Sequence, residues 1–112
     1  VSAFAPICAP MLCPWGQKAF LGYLGKDEDH WRDYDSCALI RKQPSDALLF
    51  IDQGVEDPFL SEQLLPDQLV ESCEEAGQRI ELRMQAEYDH SYYFIQTFIE
   101  DHLRHHAKVL GI

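Results

Sequence analysis

The segment Glu87-Tyr88-Asp89-His90-Ser91-Tyr92-Tyr93-Phe94 joins two contrasting patterns and decides how the chain folds. Before it, apolar and charged side chains alternate over residues 79–84, which predicts a strand with one apolar face. After it, residues 91–108 carry an apolar stripe at helical spacing, which predicts the longest helix of the chain. The stripe consists of Phe94, Ile95, Phe98, Ile99 and Leu103. His90 therefore lies where a strand passes into a helix.

A second segment, Leu48-Leu49-Phe50-Ile51-Asp52-Gln53-Gly54-Val55-Glu56-Asp57-Pro58-Phe59, is typical of a strand that runs into an acidic turn. Its apolar run, residues 47–51, has the length of a strand and predicts one that is buried on both faces, as in a parallel sheet. Three acids stand at the end of this strand: Asp52, Glu56 and Asp57.

Strands and helices also alternate along the rest of the chain. Residues 1–7 predict a short buried strand, and residues 9–16, rich in proline, predict a structured loop. Helices are predicted over residues 17–24, 27–33, 34–42 and 66–76. The last of these has Pro66 at its first position and Gly77 just past its end. This alternation indicates an α/β fold with a mostly parallel sheet flanked by helices.

The composition limits the classes of function. With 112 residues, of which 46% are hydrophobic, the chain forms one domain or part of one. Its net charge of -10 opposes binding to nucleic acid and to anionic membranes. No stretch approaches the roughly 18 apolar residues that a membrane span needs. We therefore expect neither nucleic acid nor membrane as a partner.

The first residues and the cysteines suggest the setting of the chain. Val1 opens directly into strand-like sequence with no pattern of a signal peptide, and we expect this start to cut through a larger domain. None of the 4 cysteines belongs to a C-x-x-C pair, so zinc and thioredoxin spacings are absent. The cysteines predict free thiols and a reducing, cytoplasmic location.

The order of the polar residues indicates a chemistry. An acid after one strand and a histidine after the next is the order of the last two members of a Ser-acid-His triad in α/β-hydrolases. His90 is the candidate base, and Asp52, Glu56 and Asp57 are the candidate acids that would orient it. Asp89, next to the histidine, is predicted to cap the last helix instead. The Gly-x-Ser-x-Gly motif of such a nucleophile is not found in the 112 residues.

Two further features have alternative explanations. His102 and His106 share one face of the last helix, and with His105 they suggest a metal site, but no Glu or Cys completes the ligand set. Histidines in a last turn also interact favourably with the helix dipole, and we predict no metal. Trp15 is either a packing residue of the core or a residue that lines a pocket.

The sequence resembles the C-terminal part of the S-formylglutathione hydrolase (esterase D) family. The most specific block is Tyr-Asp-His-Ser-Tyr-Tyr-Phe at residues 88–94. Other matching blocks are residues 1–7, 14–20, 22–25, 51–54, 57–60, 63–66, 98–102 and 105–106. Together they extend in order over essentially the whole chain. One departure is Ala9-Pro10, where the family often has Asn-Pro.

This resemblance implies a function and roles for single residues. Residues 1–112 would be the C-terminal portion of a single α/β-hydrolase domain. The enzyme would hydrolyse the formylglutathione thioester to formate and glutathione, and would also cleave small carboxylic esters. Asp57 would be the triad acid, His90 the base and Trp15 a substrate-binding residue. No cofactor is implied, since water is the second substrate, and a homodimer is left open.

Two other interpretations remain at the level of sequence. The chain could be a non-catalytic fragment or interaction module that has kept only this half of the fold. The apolar segment Val1–Ile7, which has no charge to protect a sheet edge, argues against a free-standing module. A metal-binding helical protein is the third interpretation, and the sparse set of ligands argues against it.

Overall fold

The computed structural model describes all 112 residues as a parallel three-stranded sheet with helices on both faces. The strands, in the order β1-β2-β3, are β1 (Ser2–Phe4), β2 (Leu49–Gly54) and β3 (Ile80–Gln85). The helices are α1 (Pro14–Leu24), α2 (Glu28–Trp31), α3 (Ser36–Lys42), α4 (Pro66–Ala76) and α5 (Tyr92–Leu110). The predicted fold class is confirmed. No helix combines the length and the apolar character that crossing a membrane would require.

The N-terminal ends of two helices differ from prediction. The segment expected to be a loop contains the start of α1, because Pro14 suits the first turn of a helix and the Cys13 thiol accepts a hydrogen bond from the Gly16 amide. The predicted cap of α5, Asp89, is wrong. Ser91 is the N-cap, and its hydroxyl accepts a hydrogen bond from the Phe94 amide. Asp89 lies earlier in the chain and is too far from that amide to bond to it.

The sheet separates two different layers of side chains. On the face covered by α3 and α4, the core is small and apolar. It comprises Cys8, Ala9, Cys37, Ile51, Leu69 and Cys73. All four cysteines are free and buried, and burial raises the pKa of the Cys8 thiol to about 12, which makes it unreactive. On the face covered by α5, aromatic rings pack around polar groups. The Phe4 ring stacks on His102, and the Phe50 ring lies tilted against it.

The buried side of α5 is rotated relative to the predicted stripe. Phe94 and His102 are the buried residues of this helix, whereas Ile99 and Leu103 are 40% and 62% exposed. Part of the apolar stripe therefore lies outside the core. His102 takes the place of an aliphatic residue because it has a buried partner on the sheet.

That partner is Asp52, which is fully buried in the central strand. Arg83 holds it with two hydrogen bonds, of 2.8 and 2.7 Å, and Gln85 donates a third of 2.9 Å. His102 donates a fourth through Nε2, at 2.7 Å. Burial alone would raise the pKa of Asp52, but the hydrogen bonds from Arg83, Gln85 and His102 outweigh it and lower the pKa below its usual range. Asp52 is therefore charged and ties β2 to β3 and α5.

The outer edge of β1 is uncovered. A groove of about 310 Å³ runs beside it and is lined mainly by apolar residues, including Val1, Ile7 and Leu39. These three side chains are 65%, 37% and 42% exposed. An apolar strand edge without charged residues is a surface that pairs readily with other chains.

We expect Asp52→Asn to destabilise the fold by about 3 kcal/mol at neutral pH, because it leaves the Arg83 guanidinium without its buried partner. A lowered pKa of the folded carboxyl stabilises the fold above pH ~4, and this contribution is lost as the pH falls through the folded value. The difference between wild type and variant should thus shrink below pH ~4. Urea unfolding of the full-length protein that carries this sequence, followed across pH, measures this difference, with exposed Asp46→Asn as control. A variant as stable as the wild type at pH ~7 would contradict the role of Asp52.

The 112-residue chain expressed alone should be poorly stable, because the groove beside β1 exposes apolar side chains. Each Leu- or Phe-sized side chain left uncovered forgoes about 1.5–3 kcal/mol, against a total stability of about 5–15 kcal/mol for a domain. We expect aggregation and binding of a dye that reports exposed apolar surface. A soluble monomer with a sharp thermal transition would instead favour the free-standing module.

Candidate active site

The three strands are parallel, so their carboxyl ends meet at one edge of the sheet. The loop after β2 carries Asp57 and the loop after β3 carries His90. His90 Nδ1 lies 2.7 Å from Asp57 Oδ2 and donates a hydrogen bond to it. The expectation that these two side chains lie within hydrogen-bonding reach is confirmed. Their catalytic role stays a prediction at this point.

The structure separates the three candidate acids. Asp57 contacts the candidate base, whereas Asp52 lies inside β2 and faces Arg83 and His102 under α5. Glu56 is exposed and its side chain makes no hydrogen bond within the chain. Asp57 is therefore the acid whose position allows it to orient His90.

The Asp57 carboxylate is held on both oxygens. Oδ1 accepts a hydrogen bond of 2.8 Å from the Phe59 amide, and Oδ2 accepts one of 3.1 Å from the side chain of Gln53 in addition to that of His90. The Asp57 side chain is 0% exposed, while that of His90 is 38% exposed. With Nδ1–H bound to the acid, Nε2 carries the free lone pair of the imidazole and can accept a proton.

Backbone contacts hold the acid loop against the base loop. The Val55 amide donates to the Gln85 carbonyl at 3.0 Å, and the Glu56 amide donates to the Tyr88 carbonyl at 2.9 Å. The absence of a side chain at Gly54 allows the two loops to approach this closely, because a Cβ at that position would lie 2.4 Å from the Tyr88 oxygen. The base loop also contains a residue with positive φ, Glu87 at 69°. The Asp57–His90 distance thus depends on a close packing of two loops.

Trp15 lies near this pair, but not in contact with it. Its ring centroid is 4.6 Å from that of Phe59, and the Phe59 ring meets His90 edge to face at 5.3 Å. The Trp15 backbone amide donates a hydrogen bond to the Gln63 side chain, which ties the start of α1 to the segment after Asp57. Its side chain is partly exposed beside the candidate base. A role in binding substrate stays a prediction.

The three histidines of α5 have separate partners. His102 is buried and bonded to Asp52, and His106 Nε2 lies 2.8 Å from the Ser2 hydroxyl. The His105 ring packs against Phe50. The rings of His105 and His106 also meet edge to face at 5.1 Å, but the three histidines do not form a group that could hold a metal ion.

A small cleft adjoins the candidate base. It has a volume of about 60 Å³ and lies where β1 ends. Its lining consists of Phe4, Ala5, His90, Ser91, Phe94 and Ile95. A much larger groove, about 780 Å³, lies elsewhere, along α3 and the preceding short helix. Cavity size alone therefore does not mark the site, and the convergence of the two loops does.

Sequence reasoning missed the residues that support the pair. Gln53 and Phe59 bond to the Asp57 carboxylate, and Gln63 anchors Trp15. The available signal was the run Asp52-Gln53-Gly54, in which polar residues end a strand that is otherwise apolar. Its three residues are all buried.

Comparisons with known proteins agree with the fold. Residues 1–105 match the family model described as "Putative esterase". An S-formylglutathione hydrolase from Bos taurus is 56% identical over an alignment that covers 99% of this chain, and one from Arabidopsis thaliana is 51% identical. The chain spans 40% of the length of these curated relatives. A solved S-formylglutathione hydrolase from Agrobacterium tumefaciens matches with a TM-score of 0.91 and 45% identity, covering 96% of this chain and 39% of that one.

The substitution Gly54→Ala should separate the acid and base loops, because its Cβ would collide with the Tyr88 and Asp89 carbonyl oxygens. We expect a loss of about 1–3 kcal/mol in the free energy of unfolding, as for other overpacked sites. Gly22→Ala in α1 is the matched control, since no atom lies within 4 Å of its added Cβ. It should gain about 0.5–1 kcal/mol. Equal stabilities of the two variants in urea unfolding would refute this explanation.

Proposed function

We propose, from the premise that this chain belongs to the esterase family, that it supplies the acid and the base of a serine hydrolase active site. The contact between Asp57 and His90 is the observation that carries the proposal. A buried carboxylate bonded to Nδ1–H of a half-exposed imidazole is the arrangement that a general base of this kind needs. The match to an esterase family model over residues 1–105 supports a hydrolase role.

The nucleophile in this proposal is a serine outside these 112 residues. None of the serines here lies in a Gly-x-Ser-x-Gly motif, the turn that exposes the nucleophile in α/β-hydrolases. The groups that stabilise the oxyanion are assigned to that other part as well. The chain by itself is then expected to be inactive.

His90 would move a proton twice in each turnover. In acylation, Nε2 takes the proton of the serine hydroxyl as its oxygen attacks the carbonyl carbon, and then returns a proton to the departing thiol or alcohol. In deacylation, Nε2 takes a proton from water, whose oxygen attacks the acyl-enzyme, and the proton returns to the serine. Asp57 stays ionised throughout, keeps the imidazole in the required tautomer and stabilises the imidazolium.

The substrate we propose is the thioester of formate and glutathione, which yields formate and free glutathione. It is supported by the names of the relatives, S-formylglutathione hydrolases at 51% and 56% identity. Small carboxylic esters share the reacting acyl carbon and are proposed as further substrates. Water is the second reactant, so the reaction as proposed involves no cofactor. Trp15, which packs on Phe59 beside the base, is the proposed contact for the substrate.

A non-catalytic interaction module is the alternative, and one observation favours it. The apolar groove beside β1 is a surface on which another polypeptide could dock. The two proposals differ in what they require of Asp57 and His90. A module of this kind does not need a half-exposed histidine bonded to a buried acid, and the hydrolase does.

In the full-length protein that carries this sequence, His90→Ala should lower kcat for formylglutathione at least about 10³-fold, because the triad acts as a unit. Asp57→Asn should lower it by up to about 10⁴-fold, since an amide favours the wrong tautomer of the imidazole. The control is His30→Ala, an exposed histidine of α2. Turnover measured under saturating substrate tests this. Near-normal turnover in His90→Ala would end the hydrolase proposal for this site.

A further inference from the structure

We infer that Gln53 is a positioning residue of the Asp57–His90 pair: its side-chain amide fixes the Asp57 carboxylate and binds part of its negative charge. The inference rests on the proposed hydrolase function. It concerns a residue inside β2, one step before Gly54, that touches neither the base nor the cleft. Its evidence is a hydrogen-bond arrangement that is unusual for a buried glutamine.

Gln53 is fully buried and both of its amide hydrogens have partners. Nε2 donates to Asp57 Oδ2 at 3.1 Å and to the Gly54 carbonyl at 3.1 Å. The first of these acceptors is the same oxygen that receives Nδ1–H of His90 at 2.7 Å. The Gln53 amide and the His90 imidazole therefore both donate a hydrogen bond to Oδ2 of Asp57.

The carbonyl end of the same side chain has no partner. Gln53 Oε1 is buried and makes no hydrogen bond. The opposite amide orientation does not relieve this, because it would point Oε1 at two further oxygens, Asp57 Oδ2 and the Gly54 carbonyl. A buried carbonyl without a donor destabilises a fold. The hydrogen bonds that the side-chain NH₂ group donates therefore explain why a glutamine occupies this position.

The donor end controls two properties of the acid. Together with the Phe59 amide on Oδ1, it prevents rotation of the carboxylate, and so it fixes the direction in which the imidazole is held. It also withdraws negative charge from Oδ2. Without it, the full charge of Oδ2 faces the ring and stabilises the protonated imidazole, which cannot act as a base.

The test uses the full-length protein that carries this sequence, with Gln53→Met as the main variant. Methionine keeps the length of the side chain and removes both the donor and the unpaired carbonyl. We expect kcat/KM to fall about 10- to 100-fold, the range that a hydrogen bond to a charged group covers. The acid limb of the pH profile of kcat/KM should move to higher pH, and KM should stay within about twofold.

The matched control is Gln78→Met. Gln78 is also buried, and its amide donates to the Ala47 carbonyl at 2.7 Å, at the opposite end of the sheet. We expect this variant to lose stability, because it breaks satisfied hydrogen bonds, and to keep the wild-type pH profile. If the acid limb of Gln53→Met is unmoved, as in Gln78→Met, Gln53 is a structural residue and the inference is overturned.

A second variant keeps the inference testable if Gln53→Met does not fold. Gln53→Leu also removes the donor, with a side chain that is shorter and branched. Its acid limb should move to higher pH as that of Gln53→Met does, and an unmoved limb would overturn the inference.

One further measurement is independent of turnover. The proton between His90 Nδ1 and Asp57 should resonate far downfield in the wild type, and its shift should change in either Gln53 variant but not in Gln78→Met. This signal separates the inference from the proposed function. If the His90→Ala enzyme stays active, the proposed function fails, whatever the resonance shows. If the resonance is unchanged in both Gln53 variants, only the inference fails.

Discussion

A charged carboxylate without access to water, at the centre of the middle strand, is the constraint on which the rest of the structure depends. Asp52 is stable there only because Arg83, Gln85 and His102 donate hydrogen bonds to it. Those donors come from β3 and α5, so the requirement fixes the register of the strands and the rotation of the last helix. The same register brings Gly54 opposite Gln85 and sets the starting points of the acid and base loops.

The chain contains two aspartate–histidine hydrogen bonds of the same length. The hydrogen-bond distance therefore does not show which of the two histidines is the candidate base. Asp52 with His102 and Asp57 with His90 are both 2.7 Å apart. The His102 side chain is 3% exposed and packs against the rings of Phe4 and Phe50, so it can exchange no proton with a substrate. The His90 side chain is 38% exposed at the carboxyl edge of the sheet. Exposure of the imidazole, more than its bond to a carboxylate, separates the candidate base from the structural residue.

The periodic patterns predicted the strands and helices that depend on neighbouring residues. They failed where a residue far away in the sequence determines the structure. The alternating pattern of β3 and the apolar run of β2 predicted two parallel strands, and both are present. The run ends at Ile51 in the sequence, but the strand continues to Gly54, because the charge of Asp52 is balanced by a residue far along the chain. The alternation in β3 put Arg83 on the face opposite the apolar residues, but it did not indicate that α5 covers Arg83 there. A buried ion pair between separate elements leaves no periodic signal in either of them.

The same reasoning explains why the candidate acid and base could be predicted, while their support could not. The loop positions of Asp57 and His90 follow from strand order, which the sequence reveals. Asp57 rather than Asp52 contacts His90, because the Asp52 side chain points to the face of β2 that α5 covers. Neighbouring residues of a strand point to opposite faces, so Asp52 serves α5 while Gln53, the next residue, serves the site. Three consecutive buried residues thus have three different tasks, since Gly54 admits the base loop. An end of a central strand that is polar and buried is poorly suited to stability alone, and its occurrence here is best explained by the precision that the Asp57–His90 contact requires.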